Sequence, residues 1–139
     1  MSQSLSIGFL IADISRLMRK EFQKHLQDSG LTFAGAKALM HISRCEGLRQ
    51  VDLAEVLEIA PITMARLVDQ LVETGVVERR ADPRDRRAYR LYLLPNSEPH
   101  LKLIEEAIGL VREKALAGLT IADQRELMNA LAKLRTNLN

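Results

Sequence analysis

The sequence predicts a mainly helical protein that carries one small β-wing near its middle. Helix-forming residues dominate the 139 positions, among which there are only seven glycines and four prolines. Apolar residues recur at helical spacing in several segments, and this pattern is typical of amphipathic helices. Two short runs beside residues 81–86 have strand character, and the Pro-Arg-Asp between them favours a turn.

The composition limits the class of protein. The length suits one compact domain, or a domain plus an oligomerisation element, and we treat 1–139 as a single domain. No segment provides the ~20 consecutive apolar residues that a membrane span requires, and the N-terminus lacks the features of a signal peptide. The one cysteine excludes an intrachain disulfide and suits a reducing cytoplasm. We therefore expect a cytoplasmic protein without a membrane partner.

Two helices are expected in the first third of the chain. The first covers about residues 5–27 because apolar residues recur there at helical spacing, and Gly30 follows near the expected C′ position. Thr32 is the expected N-cap of the second helix, at about residues 33–45. Residues 48–49 could add a short extended piece to a small sheet.

A pair of short helices is expected next. The first covers about residues 50–57, with Val51 and Leu53 turned inward. Pro61 opens the second, because proline is tolerated in a first turn, and Gly75 follows its end at Thr74. Strands are then expected at residues 76–80 and 87–94, around a loop at 81–86.

Two long helices complete the chain, at about residues 98–116 and 121–138. Thr120 is the expected cap of the last one, and Leu127, Leu131 and Leu134 are its expected core residues. The first helix is long and strongly apolar for one at the edge of a small monomer. We therefore expect it to have a partner, either within the chain or across a dimer interface.

The helix that begins at Pro61 has a polar side that could read DNA. At 100° per residue, Thr63, Arg66 and Gln70 share one strip near its N-terminal half. A helix in a major groove meets base edges with such a strip. Arg66 could then fork onto guanine, Gln70 could pair with adenine, and Thr63 could contact a phosphate or a thymine methyl group.

Arginines are concentrated in the wing that follows. Between Arg79 and Arg90 the chain carries +4, whereas the whole chain carries only +2. Arginine forks onto phosphates and enters narrow minor grooves, so double-stranded DNA is the expected partner. The six arginines of this segment are Arg79, Arg80, Arg84, Arg86, Arg87 and Arg90.

The same segment resembles a known family. The MarR family of bacterial transcriptional regulators has a winged helix-turn-helix core similar to residues 50–94, QVDLAEVLEIAPITMARLVDQLVETGVVERRADPRDRRAYRLYLL. The most specific part is LVDQL and GVVERR followed by DPRDRRA, and the SlyA branch is the closest. The resemblance extends over nearly the whole chain. It implies a homodimer in which residues 32–94 form the DNA-binding lobe and the helices at 5–28 and 98–138 join the two protomers.

The resemblance also implies site residues. Thr63, Arg66 and Gln70 match the positions where the family's recognition helix meets the major groove. In the wing, residues 85–87 match a D-R-R motif in which one arginine enters the minor groove and the aspartate holds it. Either arginine could take that role. The candidate wing residues are Arg84, Asp85, Arg86 and Arg87.

One residue departs from the family pattern. Many members carry glycine in the helix-helix turn, where this chain has Glu58. A glutamate there would adopt a less favoured backbone conformation, which costs on the order of 1 kcal/mol.

Family members often respond to small aromatic acids that bind between the dimer base and the DNA lobe. Arg16, His41 and Arg112 are the candidate lining residues here. His41 and Cys45 have a spacing that could seat a metal, but no further ligand cluster accompanies them, and a buried or capping pair is the better interpretation. We expect neither a metal nor another cofactor. No catalytic motif is present, so an enzyme is not expected.

The sequence thus predicts a nucleoid-associated regulator that binds a pseudo-palindromic operator as a homodimer. A small aromatic effector could relieve it, although some members of the family respond to no ligand. Two alternatives remain open. A winged helix can serve as a protein-interaction module, and Cys45 with His41 could make a metal-responsive or redox-responsive sensor.

Overall fold

The computed structural model describes residues 6–139, so Leu5, at the predicted start of the first helix, lies outside the described residues. The mainly helical fold with one β-hairpin is confirmed. The elements in chain order are α1 (Ile7–His25), α2 (Phe33–Arg44), α3 (Gln50–Val56), α4 (Pro61–Glu73), β1 (Val77–Asp82), β2 (Asp85–Leu93), a 3-10 turn (Pro95–Ser97), α5 (Glu98–Ala115) and α6 (Ile121–Leu138).

Several predicted helix ends are confirmed. The Thr32 hydroxyl accepts a hydrogen bond from the Gly35 amide at 3.0 Å and so caps α2. Pro61 occupies the first turn of α4, and Gly75 follows its end with a φ of 82°. The end of α1 differs in detail, because Asp28 as well as Gly30 adopts a positive φ there, at 68° and 77°.

The hydrophobic core lies where α2, α3, α4, α5 and the hairpin meet. Its fully buried side chains include Leu39, Ile42, Leu53, Met64, Leu91 and Ile104. The inward placement of Leu53 is confirmed, but that of Val51 is wrong, since half of its surface is exposed. Val51 lies two residues before Leu53, about 200° around a helix, which turns it away from the core.

The hairpin is longer than predicted. Its antiparallel strands continue to Asp82 and restart at Asp85, so the expected loop at 81–86 shrinks to a turn at Pro83 and Arg84. The register shifts at the tip, because Ala81 pairs with Tyr89 while Asp82 pairs with Asp85. Residues 86–88 therefore have no register partners on β1 and bulge out opposite the bond between Ala81 and Asp82. Such a bulge changes the direction of the side chains that it carries.

The extended piece predicted at residues 48–49 is reduced to one bridge. Arg49 pairs with Arg90 as an isolated bridge beside the hairpin. The Leu91 amide donates to the Leu48 carbonyl at 3.0 Å, and the Gly47 amide donates to the Leu91 carbonyl at 2.8 Å. These bonds attach the α2–α3 connection to the wing without forming a third strand.

The terminal helices contribute little to the core of the single chain. Helix α5 buries Ile104, Ala107 and Val111, whereas α1 buries Phe22 alone and α6 buries no residue. The core prediction for α6 is therefore wrong for one protomer: Leu127 and Leu131 are about 40% exposed, at 39% and 40%. Within residues 6–139, no helix combines the length and apolar character needed to span a bilayer.

Candidate nucleic-acid interface

Helix α4 has one buried side and one exposed polar side. It packs on the core through Met64, Val68 and Leu71. The predicted strip lies on the opposite side, where Thr63, Arg66 and Gln70 are all exposed. Ile62, which the sequence interpretation leaves out of the site, is 71% exposed in the first turn of the same helix. An apolar side chain at this place could contact a thymine methyl group.

The side chain of Arg79 extends from β1 to α4. Its sequence position places it among the candidate DNA-binding cations. Its Nε donates to the Gln50 side-chain oxygen at 2.9 Å, and its Nη2 donates to the Ala65 carbonyl at 2.9 Å. Its Nη1 forms an ion pair with the Asp69 carboxylate at 2.6 Å. The side chain is only 22% exposed. Arg79 is thus occupied by protein acceptors on α3 and α4.

The ion pair with Arg79 gives Asp69 a partner inside the protein. A carboxylate on the exposed side of α4 could by itself repel phosphate or orient Arg66. In the structure Asp69 instead binds Arg79, which comes from the next element. The negative charge of Asp69 on the exposed side of α4 is therefore balanced by the positive charge of Arg79 on β1.

Asp82 and Arg90 hold the outer part of the wing. The Asp82 carboxylate is 6% exposed and accepts a hydrogen bond from the Arg84 amide at 3.0 Å. Arg90 lies 3.4 Å from it and also donates to the Gly47 carbonyl at 2.8 Å. The Arg84 amide, and secondly Arg90, lower the pKa of Asp82 below its usual range, although burial acts in the opposite direction.

Arg80 is engaged on the other face of the hairpin. Its guanidinium carbon lies 3.8 Å from the centre of the Tyr92 ring, a cation–π distance. Its Nε is 3.3 Å from the Glu78 carboxylate. Three of the six arginines, Arg79, Arg80 and Arg90, are thus bound within the protein.

The other three arginines form an exposed tip. Arg84, Arg86 and Arg87 are all exposed, and within residues 6–139 the ion pairs involve none of them. Asp85 accepts a hydrogen bond from the Arg87 amide at 3.0 Å, so it holds the backbone of the motif. We name Arg84, Arg86 and Arg87 the wing tip.

The candidate effector residues lie on three different helices. Arg16, on α1, is exposed and pairs with Asp13 at 2.7 Å, His41 is half-buried on α2, and Arg112 is exposed on α5. A cleft of about 80 Å³ lies between α2 and α4 near Gly35, but none of the three lines it. The effector pocket therefore stays a prediction.

Cys45 lies at the C-terminal end of α2. It is the C-cap residue, its side chain is exposed, and its amide donates to the His41 carbonyl at 3.0 Å. Cys45 is thus the C-cap of α2, and neither side chain of the pair is buried. In the part of the chain that the structure describes, His, Cys, Asp and Glu side chains nowhere gather in a group of three able to hold a metal.

Comparisons with known proteins agree with this arrangement. A family model described as the MarR family matches residues 31–89, which include α2, α3, α4 and most of the hairpin. The transcriptional regulator PA3341 has a crystal structure that is 32% identical, with a TM-score of 0.82, over 96% of this chain and 98% of that one.

Two further crystal structures are similar over almost their whole length. A MarR transcriptional regulator from Methanosarcina mazei Go1 is 27% identical, with a TM-score of 0.87, over 94% of both chains. The apo form of wild-type MarR from E. coli is 23% identical, with a TM-score of 0.87, over 96% of this chain and 98% of that one. At that identity, the likeness to the second shows the fold alone.

Proposed function

The chain belongs to the MarR family, and from this premise we propose that it is a homodimeric, sequence-specific DNA-binding regulator of transcription. The observation that carries the proposal is the pairing of two exposed features in one lobe. The strip of Thr63, Arg66 and Gln70 on α4 has the residue types that read base edges. The wing tip adds three exposed arginines in the same lobe, which suit phosphates and a narrow minor groove.

In this proposal the lobe at residues 32–94 binds the duplex through both grooves. Helix α4 lies in the major groove, with Arg66 on guanine, Gln70 on adenine and Thr63 on a phosphate or a thymine methyl group. Arg86 or Arg87 enters the adjacent minor groove. Phosphate contacts then supply much of the affinity and make it strongly dependent on salt.

The proposed dimer rests on the apolar surface of the terminal helices. On α1, the exposed apolar residues 7, 10, 11, 14, 17 and 18 follow one face at helical spacing, and a monomer rarely leaves such an apolar stripe exposed. The same faces in two protomers could cover each other and place two α4 helices on one side of a duplex. The exposed apolar residues of α1 and α6 are Ile7, Phe9, Leu10, Ile11, Ile14, Leu17, Met18, Ile121, Leu127, Met128, Leu131 and Leu138.

An electrophoretic mobility shift on the region upstream of its own gene tests DNA binding. We expect binding that competitor DNA of unrelated sequence does not remove. Arg66→Ala should relax the sequence preference by ~1–3 kcal/mol for each base that the side chain reads in the wild type. Arg125→Ala is the control, because it removes an equally exposed arginine from α6. Equal affinity for all duplexes would contradict the proposal.

Two finer features are also proposed. The runs LVDQL, GVVERR and DPRDRRA support a place near the SlyA branch. A small aromatic acid bound near Arg16, His41 and Arg112 would change the angle between the terminal helices and the DNA lobe. Hydroxybenzoate is a suitable probe, because it should lower DNA affinity in the wild type and have less effect after Arg112→Ala. Identical responses of the two proteins would remove Arg112 from the site.

A further inference from the structure

We propose that Arg79 is a positioning residue that fixes the recognition helix relative to the wing and thereby sets sequence specificity. The inference rests on the proposed function and names a determinant outside the predicted DNA-contacting residues. Arg79 lies on β1 opposite Leu91. From there its guanidinium reaches acceptors on both helices of the helix-turn-helix.

These bonds, which together we name the Arg79 clamp, lie beside the reading strip. Ala65 and Asp69 are one helical turn apart on α4, and each directly precedes a strip residue, Arg66 or Gln70. By helical geometry, Asp69 and Ala65 lie about 60° and 100° around the axis from Arg66. Arg79 therefore holds α4 along the edge of the surface that would meet the bases. Its third bond, to Gln50, fixes the start of α3 to the same point.

The chemistry requires an arginine. Three nitrogen atoms of one planar guanidinium donate to three separate acceptors, and a lysine offers one ammonium on a flexible stem. Asp69 is 64% exposed, so solvent screens its ion pair with Arg79. The bonds to the Ala65 carbonyl and to Gln50 are less exposed, and the bond to Asp69 completes the hold on α4.

The Arg79 clamp links the wing to the recognition helix α4. The strand that carries Arg79 continues to Asp82 and the turn at Pro83 and Arg84. A change in the angle between β1 and α4 would thus move the wing tip relative to Arg66. Base recognition depends on that geometry, whereas phosphate attraction depends mainly on charge. Loss of the Arg79 clamp should therefore reduce specificity more than affinity for unrelated DNA.

The test compares Arg79→Lys with Arg80→Lys in the full-length protein. Both changes preserve net charge, and Arg80 is the next residue but lies against Tyr92 on the other face. For Arg79→Lys we expect the ratio of specific to non-specific affinity to fall about tenfold, with the salt dependence unchanged. Arg80→Lys should keep the wild-type ratio. If Arg79→Lys keeps the wild-type ratio of specific to non-specific affinity, the proposal is overturned. Arg79 would then act only as a positive charge near a phosphate, where lysine can replace arginine.

Asp69→Ala provides a second variant at an exposed position, should Arg79→Lys fail to fold. It removes one acceptor of the Arg79 clamp and one negative charge near the duplex. We expect non-specific affinity to rise while the specific-to-non-specific ratio falls. If both affinities rise equally, Asp69 acts through its charge alone and the clamp is wrong.

A measurement without DNA separates this inference from the proposed function. Hydrogen–deuterium exchange should become faster in residues 64–70 and 80–90 of Arg79→Lys than in Arg80→Lys or the wild type. If the wild type proves not to bind DNA specifically, the proposed function fails, and faster exchange still supports the Arg79 clamp. Unchanged exchange in both segments would contradict it.

Discussion

At the scale of single residues, the arginines of the wing share one charge but differ in their surroundings. Arg79, Arg80 and Arg90 are held by acceptors or an aromatic ring, whereas within residues 6–139 the ion pairs involve none of the wing-tip arginines. The acceptors come from Gln50, Ala65 and Gly47, far away in the sequence. A count of charge along the chain cannot reveal such partners, and for this reason the sequence groups Arg79 with the exposed cations.

Asp82 should make the stability of the wing depend on pH. Its pKa in the folded protein lies below the unfolded value of about 3.9. The contribution of the charged carboxylate is therefore present above the unfolded pKa and is lost as pH falls through the folded pKa. We expect Asp82→Asn to be less stable than the wild type at pH 7, and the two to converge in acid. Urea unfolding at both ends of this range measures the difference.

Asp82→Asn retains an oxygen that can accept from the Arg84 amide, so the comparison isolates the charge that faces Arg90. Titration of other carboxylates affects both proteins and cancels in the difference. A stability difference of the same size at pH 7 and in acid would show that the Asp82 charge has no role.

Glu58 adopts the strained conformation that the departure from the family pattern predicts. Its φ is 54°, in the left-handed region that favours glycine. We expect Glu58→Gly to raise the free energy of unfolding by on the order of 1 kcal/mol. Glu55→Gly, inside α3, should instead lower it by roughly 0.5–1 kcal/mol. Thermal or urea unfolding measures both, and destabilisation by Glu58→Gly would contradict the strain argument.

At the scale of elements, the ends of helices can be predicted from the sequence where a single residue acts on the backbone next to it. Thr32 caps α2, Pro61 opens α4 and Gly75 follows it, because each acts on the backbone of its immediate neighbours. The hairpin tip is harder to predict. Pro83 marks the turn, but the strands extend on both sides of it through a register shift that no local pattern records.

The wing tip should contribute to affinity through salt-dependent contacts. Each arginine that contacts a phosphate should, when changed to alanine, lower the slope of log K against log salt by about 1. Replacing an arginine that enters the minor groove should also weaken the preference for narrow, A·T-rich sequences. Titrations of Arg84→Ala, Arg86→Ala and Arg87→Ala over a range of salt distinguish these roles.

Arg80→Ala is the comparison for this series, since Arg80 lies on β1 with its guanidinium carbon 3.8 Å from the centre of the Tyr92 ring. It should have a smaller effect than the tip variants. If Arg86→Ala and Arg87→Ala together leave DNA binding untouched, the role of the wing tip is wrong.

At the scale of the whole molecule, the sequence predicts the apolar faces of the terminal helices but not what covers those faces. Their apolar stripes follow from the sequence, but periodicity cannot tell a core within the chain from an interface between chains. Leu127 and Leu131 remain exposed in the single protomer, as do Ile14 and Leu17 on α1. A second copy of the chain is the occupant that we propose for these faces.

Substitution on α1 tests this assembly. Leu17→Glu places a charge on an apolar side chain that is 48% exposed, and burial of an unpaired charge in a dimer would be costly. We expect sedimentation to detect monomers of Leu17→Glu at concentrations where the wild type is dimeric. Val56→Glu is the matched control, since Val56 is 54% exposed on α3, outside the terminal helices. Equal dissociation of both variants would contradict the assignment of the interface.

Two α4 helices joined in one dimer should read two related half-sites, and selection of binding sequences from random duplexes tests this most directly. We expect a pseudo-palindrome whose half-sites lie about 10 base pairs apart, centre to centre. Arg66→Ala should weaken the preference at one matching position in each half-site. Recovery of a single unrepeated site, or of no preferred sequence, would contradict the account.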